Sequence, residues 1–117
     1  MELYETSSHA LLIRAQPDGE RLVLALHGEL DIASAPALAQ QLHHTEAIGV
    51  GRVVIDLSGL AFCDASGLHV LLDAQRRLWE NHQQLFLRGV PKVVQRLLEL
   101  SGTLSRFRFD DDPQCQN

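Results

Sequence analysis

The residues best suited to do chemistry form a short segment near the middle of the chain, Asp64-Ala65-Ser66-Gly67. An acid just ahead of a small-residue run is typical of a helix start, where a carboxylate accepts hydrogen bonds from the first backbone N–H groups. A hydroxyl in that first turn lies at the positive end of the helix dipole, which tolerates added negative charge. The segment therefore predicts that Ser66 is a phosphoacceptor.

The elements on either side of this segment predict how it is positioned. Val53-Val54-Ile55 is a continuous β-branched run, as expected for a central parallel strand covered on both faces. Asp56 interrupts the run where such a strand should end, and partner sites in open α/β sheets gather at that end. The helix after Ser66 is expected to bury one apolar stripe: Leu68, Leu71, Leu72, Leu78 and Trp79.

The other sequence patterns predict the element order ββαβαβα with an optional final strand. Pro17-Asp18-Gly19 is a turn sequence between two apolar runs, and predicts an antiparallel hairpin. Residues 28–31 are expected to form a loop, after which Ser34 caps a helix with Pro36 in its first turn. Later elements are expected at 84–88 (strand), from Pro91 (helix) and within 105–109 (short strand).

The expected fold class is therefore α/β: one domain over 1–117 with a mixed sheet of four to five strands, an N-terminal antiparallel hairpin and three or more helices. Its core is expected to span about 9–109. The segment 110–117 has the composition of an acidic, frayed tail.

Composition excludes several functional classes. With 117 residues and a formal net charge of -5, the chain lacks the basic surface that nucleic-acid binding needs. No apolar run approaches the roughly 20 residues of a membrane span, and no signal-peptide pattern is present, so we expect a cytoplasmic protein without membrane insertion. Cys63 and Cys115 show no metal-ligand spacing, and Cys63 is expected to be a buried free thiol.

Three segments resemble the STAS domain of bacterial anti-sigma factor antagonists. They are residues 28–36, residues 56–68, and Gly89-Val90-Pro91 taken together with Leu100-Ser101-Gly102. The middle one is the most specific, because the family's phosphoacceptor lies in an Asp-Ser-Ser-Gly or Asp-Ser-Thr-Gly setting. This chain has Ala65 where the family often has serine or threonine, but it keeps the acceptor at Ser66.

The resemblance implies a partner-switching protein rather than an enzyme, with no cofactor and no metal. The unphosphorylated form would bind an anti-sigma factor that is also a serine/threonine kinase, and so release a sigma factor. Phosphorylation of Ser66 would end binding, and a serine phosphatase would reset the switch. The partner-binding residues it implies are Asp31, Ser34, Asp64, Gly67 and Leu68. We expect Asp31 to contribute to this interface rather than to folding.

Other interpretations of the same residues remain open at this point. Ser66 and Asp64 could serve only as helix-capping residues. A Ser66–His69 hydrolase pair is disfavoured because the chain lacks a Gly-x-Ser-x-Gly elbow. A phospho-aspartate receiver domain centred on Asp56 is disfavoured because the only lysine, Lys92, falls inside a predicted helix. The strongest alternative keeps the fold: a non-switching STAS scaffold subunit of a stress-signalling or transporter complex.

Overall fold

The computed structural model describes residues 4–110, which form a six-stranded mixed sheet and three helices. The strands are β1 (Tyr4–Ser8), β2 (Leu11–Asp18), β3 (Arg21–Leu30), β4 (Arg52–Cys63), β5 (Gln84–Arg88) and β6 (Arg108–Phe109). The helices are α1 (Ala35–Ile48), α2 (Ala65–Glu80) and α3 (Lys92–Ser101), followed by a short 3-10 turn at Leu104–Arg106.

The strands lie in the sheet in chain order, β1-β2-β3-β4-β5-β6. β1, β2 and β3 are antiparallel neighbours, whereas β3 to β6 run parallel. The α/β class, the N-terminal hairpin and the three helices are confirmed. The expected count of four to five strands is wrong by one, because β1 and the two-residue β6 both pair with an edge of the sheet.

One apolar core joins the sheet to the helices. Each parallel crossover from β3 to β6 contains a helix, and right-handed crossovers in this strand order place all three helices on the same face. β4 is a central strand as expected, since it lies between two parallel neighbours and Val53, Val54 and Ile55 have no exposed surface. The expected cover on both faces is wrong, because Val53 and Ile55 join the apolar core and Val54, on the opposite face, does not. In α2, Leu68, Leu71 and Leu78 are buried as expected.

Strand β4 does not end at Asp56 as the sequence suggested, but continues to Cys63. Only its pairing with β5 ends there, at the Asp56–Arg88 pair. Pairing with β3 continues through two register shifts, in which β4 carries extra residues. The first shift needs Gly59, because a Cβ at this position would lie 2.7 Å from the carbonyl oxygen of Leu26. Asp56 therefore lies within a strand.

Three smaller expectations are also corrected. Residues 28–30, predicted as a loop, complete strand β3. Trp79, predicted to be buried, is 56% exposed, with the guanidinium of Arg108 stacked 5.3 Å from its ring centre. Asp110, placed in the frayed tail, forms an ion pair with Arg21 at 2.9 Å. The rest of that tail, 111–117, lies outside the described residues.

Candidate functional site

The starts of α1 and α2 lie side by side at the carboxyl end of the central strands. Leu30, the last residue of β3, pairs with Cys63, the last residue of β4. The backbone N–H of Asp64 then donates to the carbonyl of Leu30 at 3.1 Å. The turn that leads into α1 and the first turn of α2 are thereby held next to each other. All six site residues predicted from the sequence lie at this carboxyl end of the strands: Asp31, Ser34, Asp64, Ser66, Gly67 and Leu68.

Asp64 organises the first turn of α2. Its Oδ1 accepts hydrogen bonds from the N–H groups of Ser66 at 2.9 Å and Gly67 at 3.3 Å, which is the geometry of an N-cap. The capping interpretation of Asp64 is therefore correct. Ser66 is partly exposed, and its hydroxyl makes no hydrogen bond to any residue that the structure describes. The hydroxyl therefore has no hydrogen-bonding role within the described residues.

Gly67 and Leu68 are buried beneath Ser66 and do not lie on the surface. A Cβ on Gly67 would lie 2.5 Å from Cγ of Leu30 and 3.1 Å from Sγ of Cys63, so only glycine lets α2 approach β3 this closely. Leu68 belongs to the apolar core. The structure thus gives both residues a positioning role, whereas the resemblance implied a direct partner contact.

Asp31 and Ser34 form a closed hydrogen-bonded turn ahead of α1. Oδ1 of Asp31 accepts from the N–H groups of Ala33 at 3.0 Å and Ser34 at 3.1 Å. The Ser34 hydroxyl accepts from the N–H of Asp31 at 3.0 Å and donates to the carbonyl of Glu29 at 2.8 Å. Ser34 occupies the N-cap position of α1, but its side chain caps no helical N–H. It is fully buried, so it supports Asp31 instead of facing a partner.

The electrostatics of Asp31 follow from this turn. The backbone N–H of Ser34 lowers the pKa of the Asp31 carboxyl, with further help from the Ser34 hydroxyl, the N–H of Ala33 and the nearby His9, against an opposing effect of partial burial. The expectation that Asp31 contributes to the interface rather than to folding therefore needs correction, because its carboxylate also holds the turn together.

Cys63 is a buried free thiol, as the sequence indicated. Burial, and secondarily the charge of Asp64, raise its pKa to about 11. It therefore stays a neutral thiol packed beneath α2, and Cys115 lies outside the described residues.

Sequence reasoning missed exposed apolar residues at the same end of the sheet as Ser66. Ile32, in the turn before α1, is 76% exposed, and Phe62, near the end of β4, is exposed as well. Ala33, Ala61 and Ala65 add further exposed apolar surface at the same edge. The exposure of Ile32 could have been predicted from its position, because it precedes the N-cap of α1 and so cannot lie on the buried stripe of that helix.

Asp56, the residue on which a receiver domain would depend, is already engaged. Its Oδ1 accepts from the N–H of Ser58 at 3.0 Å and the hydroxyl of Ser58 at 2.7 Å, and its Oδ2 lies 3.4 Å from the Arg88 guanidinium. Burial alone would raise the pKa of Asp56, but these hydrogen bonds and the Arg88 charge outweigh it and lower the pKa. Asp56 is a structural carboxylate within the strand.

Residues 4–110 do not form the arrangements that hydrolase or metal chemistry would need. His69 is exposed and no hydrogen bond joins it to Ser66 there, and no group of three metal-ligating side chains occurs in that part of the chain. Within the same range, no helix has both the length and the apolar character that a membrane crossing requires.

Comparison with known families agrees with this fold. The family described as "Mlab, STAS domain" matches residues 13–104, which is most of the chain. The protein therefore belongs to the STAS domain family.

Curated relatives and solved structures extend the comparison. The anti-sigma-B factor antagonist of Staphylococcus aureus (strain NCTC 8325 / PS 47) is 28% identical over 89 residues, covering 76% of this chain and 82% of the relative. An anti-sigma factor antagonist from Mycobacterium paratuberculosis has the same fold, with a TM-score of 0.77 at 24% identity over 88% of this chain and 86% of that one. The unphosphorylated form of the antagonist SpoIIAA gives a TM-score of 0.73 at 19% identity, over 88% and 91% of the two chains.

Proposed function

We propose that this protein is an anti-sigma factor antagonist that acts by partner switching in the cytoplasm. Its unphosphorylated form binds an anti-sigma factor that is also a serine/threonine kinase, and thereby releases a sigma factor. Phosphorylation of Ser66 ends the interaction, and a serine phosphatase restores it. The names of the relatives support the antagonist role. The state of Ser66 supports the switching mechanism.

The single observation that carries the proposal is the contrast between the Ser66 backbone and its hydroxyl. The N–H of Ser66 is fixed by Asp64 at 2.9 Å, whereas the hydroxyl makes no hydrogen bond within the described residues. A phosphoacceptor must be both held in place and chemically available, because a kinase aligns the hydroxyl with the phosphate it transfers. Ser66 meets both requirements.

The surface around Ser66 fits a protein partner. Ile32 and Phe62 are large exposed side chains that a partner would bury, and buried apolar anchors supply most of the affinity at protein interfaces. Asp31 and Asp64 add fixed carboxylates beside them, which suit cationic groups on the partner. A phosphate on Ser66 would add about -1.5 to -2 charge and three solvated oxygens to this surface. Docking would then require stripping water from that phosphate, which opposes binding.

The protein is proposed to catalyse no reaction itself. In this mechanism the kinase supplies the nucleotide and its magnesium, and the STAS domain supplies only a positioned hydroxyl. Ser34, Gly67 and Leu68 act indirectly, since all three are buried and hold the two helix starts in position.

A second candidate function is a scaffold subunit that binds its partner without kinase-driven release. The matching family carries the description "Mlab", which is not the name of the antagonists, so membership of the family agrees with either role. The exposed apolar surface would serve docking in both cases. The two functions differ in whether Ser66 becomes phosphorylated in the complex and the partner is released.

The test is capture of the partner from native lysate on the immobilised unphosphorylated chain, followed by magnesium-ATP. We expect the captured anti-sigma factor to leave on addition of ATP, and mass spectrometry to find phosphate on Ser66. Ser66→Ala should capture the same partner and keep it. Ser58→Ala, a change at an exposed serine earlier in the chain, should behave as the unmodified protein does.

Two results would overturn the switching mechanism. Release of the partner from Ser66→Ala would place the acceptor elsewhere. Retention of the partner by the unmodified chain, with ATP present and Ser66 unphosphorylated, would identify the scaffold function instead.

A further inference from the structure

Helix α3 has more aliphatic residues than are buried in the core. Five of its ten residues are valine or leucine, yet only Val94 and Leu98 are buried. Leu100 is 77% exposed and Val93 is 42% exposed, while Leu97 is half-buried between them. Spacings of four and three residues along a helix place Val93, Leu97 and Leu100 on one side, so they form a continuous apolar ridge.

This ridge is unlike the other exposed apolar positions. Ile32 and Phe62 belong to the surface around Ser66, and Trp79 is stacked under Arg108. Ile48, at the end of α1, and Phe109, in the two-residue strand β6, are each the single large apolar residue exposed on their element within the described residues. Within residues 4–110, α3 is the helix that exposes two large aliphatic side chains at helical spacing. An exposed stripe of this kind marks an interaction surface.

The charges beside the ridge indicate what covers it. Lys92 and Arg96 lie one turn apart on the flank of α3, and Glu99 follows on the same flank. Neither Lys92 nor Arg96 forms an ion pair within the described residues, and Glu99 accepts a hydrogen bond from Gln95 at 3.3 Å. The flank therefore has two cations towards its start and one anion towards its end.

This pattern of charges is complementary to the same pattern on a second, antiparallel copy of α3. In an antiparallel pair of α3 helices related by a two-fold axis near Leu97, Val93 of each copy lies opposite Leu100 of the other. Glu99 of one copy then lies between Lys92 and Arg96 of the second. A two-fold interface uses the same patch on both copies, so every favourable contact occurs twice.

We propose that the α3 ridge is a self-association surface, through which two copies of this chain form an antiparallel α3–α3 dimer. The helix has ten residues, so the interface is smaller than that of a permanent dimer and the association is weak and concentration-dependent. The proposal is independent of the switch at Ser66, which lies on α2.

Sedimentation equilibrium of the full chain at micromolar and millimolar concentrations tests the proposal. We expect a reversible monomer–dimer equilibrium. Leu100→Asp should raise the dissociation constant at least about tenfold, because the change removes two apolar contacts and buries two charges. Ile48→Asp is the matched control: it changes another aliphatic residue, 45% exposed on α1, and should leave the constant unchanged.

A charge exchange tests the antiparallel arrangement. Glu99→Lys alone should weaken the dimer, since it puts three cations on each flank. The triple variant Lys92→Glu, Arg96→Glu, Glu99→Lys inverts every charge and should restore the original dissociation constant. A chain that stays monomeric at millimolar concentration, or equal effects of Leu100→Asp and Ile48→Asp, would overturn the proposal. Failure of the triple variant to recover would overturn the charge pairing that defines it.

Discussion

The starts of α1 and α2 each place an aspartate ahead of a serine, yet the two serines are in opposite states. At α1, the Ser34 hydroxyl is fully buried and joins Asp31 to Glu29 by hydrogen bonds. At α2, Asp64 binds only backbone N–H groups, and the Ser66 hydroxyl remains partly exposed and unbonded within the described residues. The same pair of residue types therefore builds a hydrogen-bonded turn in one place and leaves a hydroxyl without a hydrogen-bond partner among the described residues in the other.

The difference comes from spacing. Asp31 and Ser34 are three residues apart and close a turn on each other before α1 begins. Asp64 and Ser66 are two residues apart, so Asp64 is the N-cap, the serine already lies in the first turn of the helix, and Asp64 binds its backbone N–H instead of its hydroxyl. Residues that should affect stability can therefore be separated from those that should affect only the proposed switch.

The largest expected effect is a loss of stability when the close contact between Gly67 of α2 and Leu30 of β3 is disturbed. Gly67→Ala should lower the free energy of unfolding by about 3 kcal/mol, since the new methyl group would overlap the buried Leu30 side chain and force the helix to shift. Urea unfolding measures this. Gly51→Ala is the matched control, because a Cβ there meets nothing within 4 Å. Equal unfolding midpoints for the two variants would contradict the packing role of Gly67.

The two serines should differ next. Ser34→Ala should cost about 1–2 kcal/mol of stability, because it leaves the Glu29 carbonyl and the Asp31 N–H without their partner in a buried site. Ser66→Ala should stay within about 0.5 kcal/mol of the unmodified protein, as for other surface changes. Thermal unfolding of both variants under the same conditions compares them directly. A larger loss for Ser66→Ala would mean that its hydroxyl has a structural role.

The sequence predicted the elements of this site better than the roles of its residues. The sequence predicts Asp64 at the start of α2, because an acid followed by small residues and then by a stripe of leucines is a typical helix start. The burial of Ser34 could not be predicted, since it depends on the Glu29 carbonyl, which lies on a segment expected to be a loop. The extension of β4 beyond Asp56 depends on two bulges against β3, which are tertiary contacts with no local sequence pattern.

The Asp31 turn should also give a pH dependence. Because folding lowers the pKa of Asp31, its contribution to stability is present above the ordinary value of 3.8 and is lost as the pH falls from there through the folded value. Asp31→Asn should therefore be less stable than the unmodified chain at neutral pH, and the difference should vanish in strong acid. Unfolding curves measured across this range check the prediction, with Glu20→Gln, at an exposed position, as the control. A difference that persists unchanged into strong acid would contradict the role of the Asp31 charge.

The smallest effect should come from phosphorylation itself. A phosphate on Ser66 gains about 0.3–1 kcal/mol from the start of α2, whose N–H groups and dipole attract negative charge. The neighbouring Asp64 carboxylate repels it, so the two effects largely cancel and the fold should not change. Melting temperatures and backbone NMR shifts of both forms provide the measurement: we expect changes confined to 64–68 and the adjoining Asp31 turn. Shift changes that reach the β2–β3 hairpin, or a melting temperature lower by many degrees, would mean that a second conformation drives partner release. Changes confined to the site would mean that the bulk and charge of the phosphate at the interface drive it.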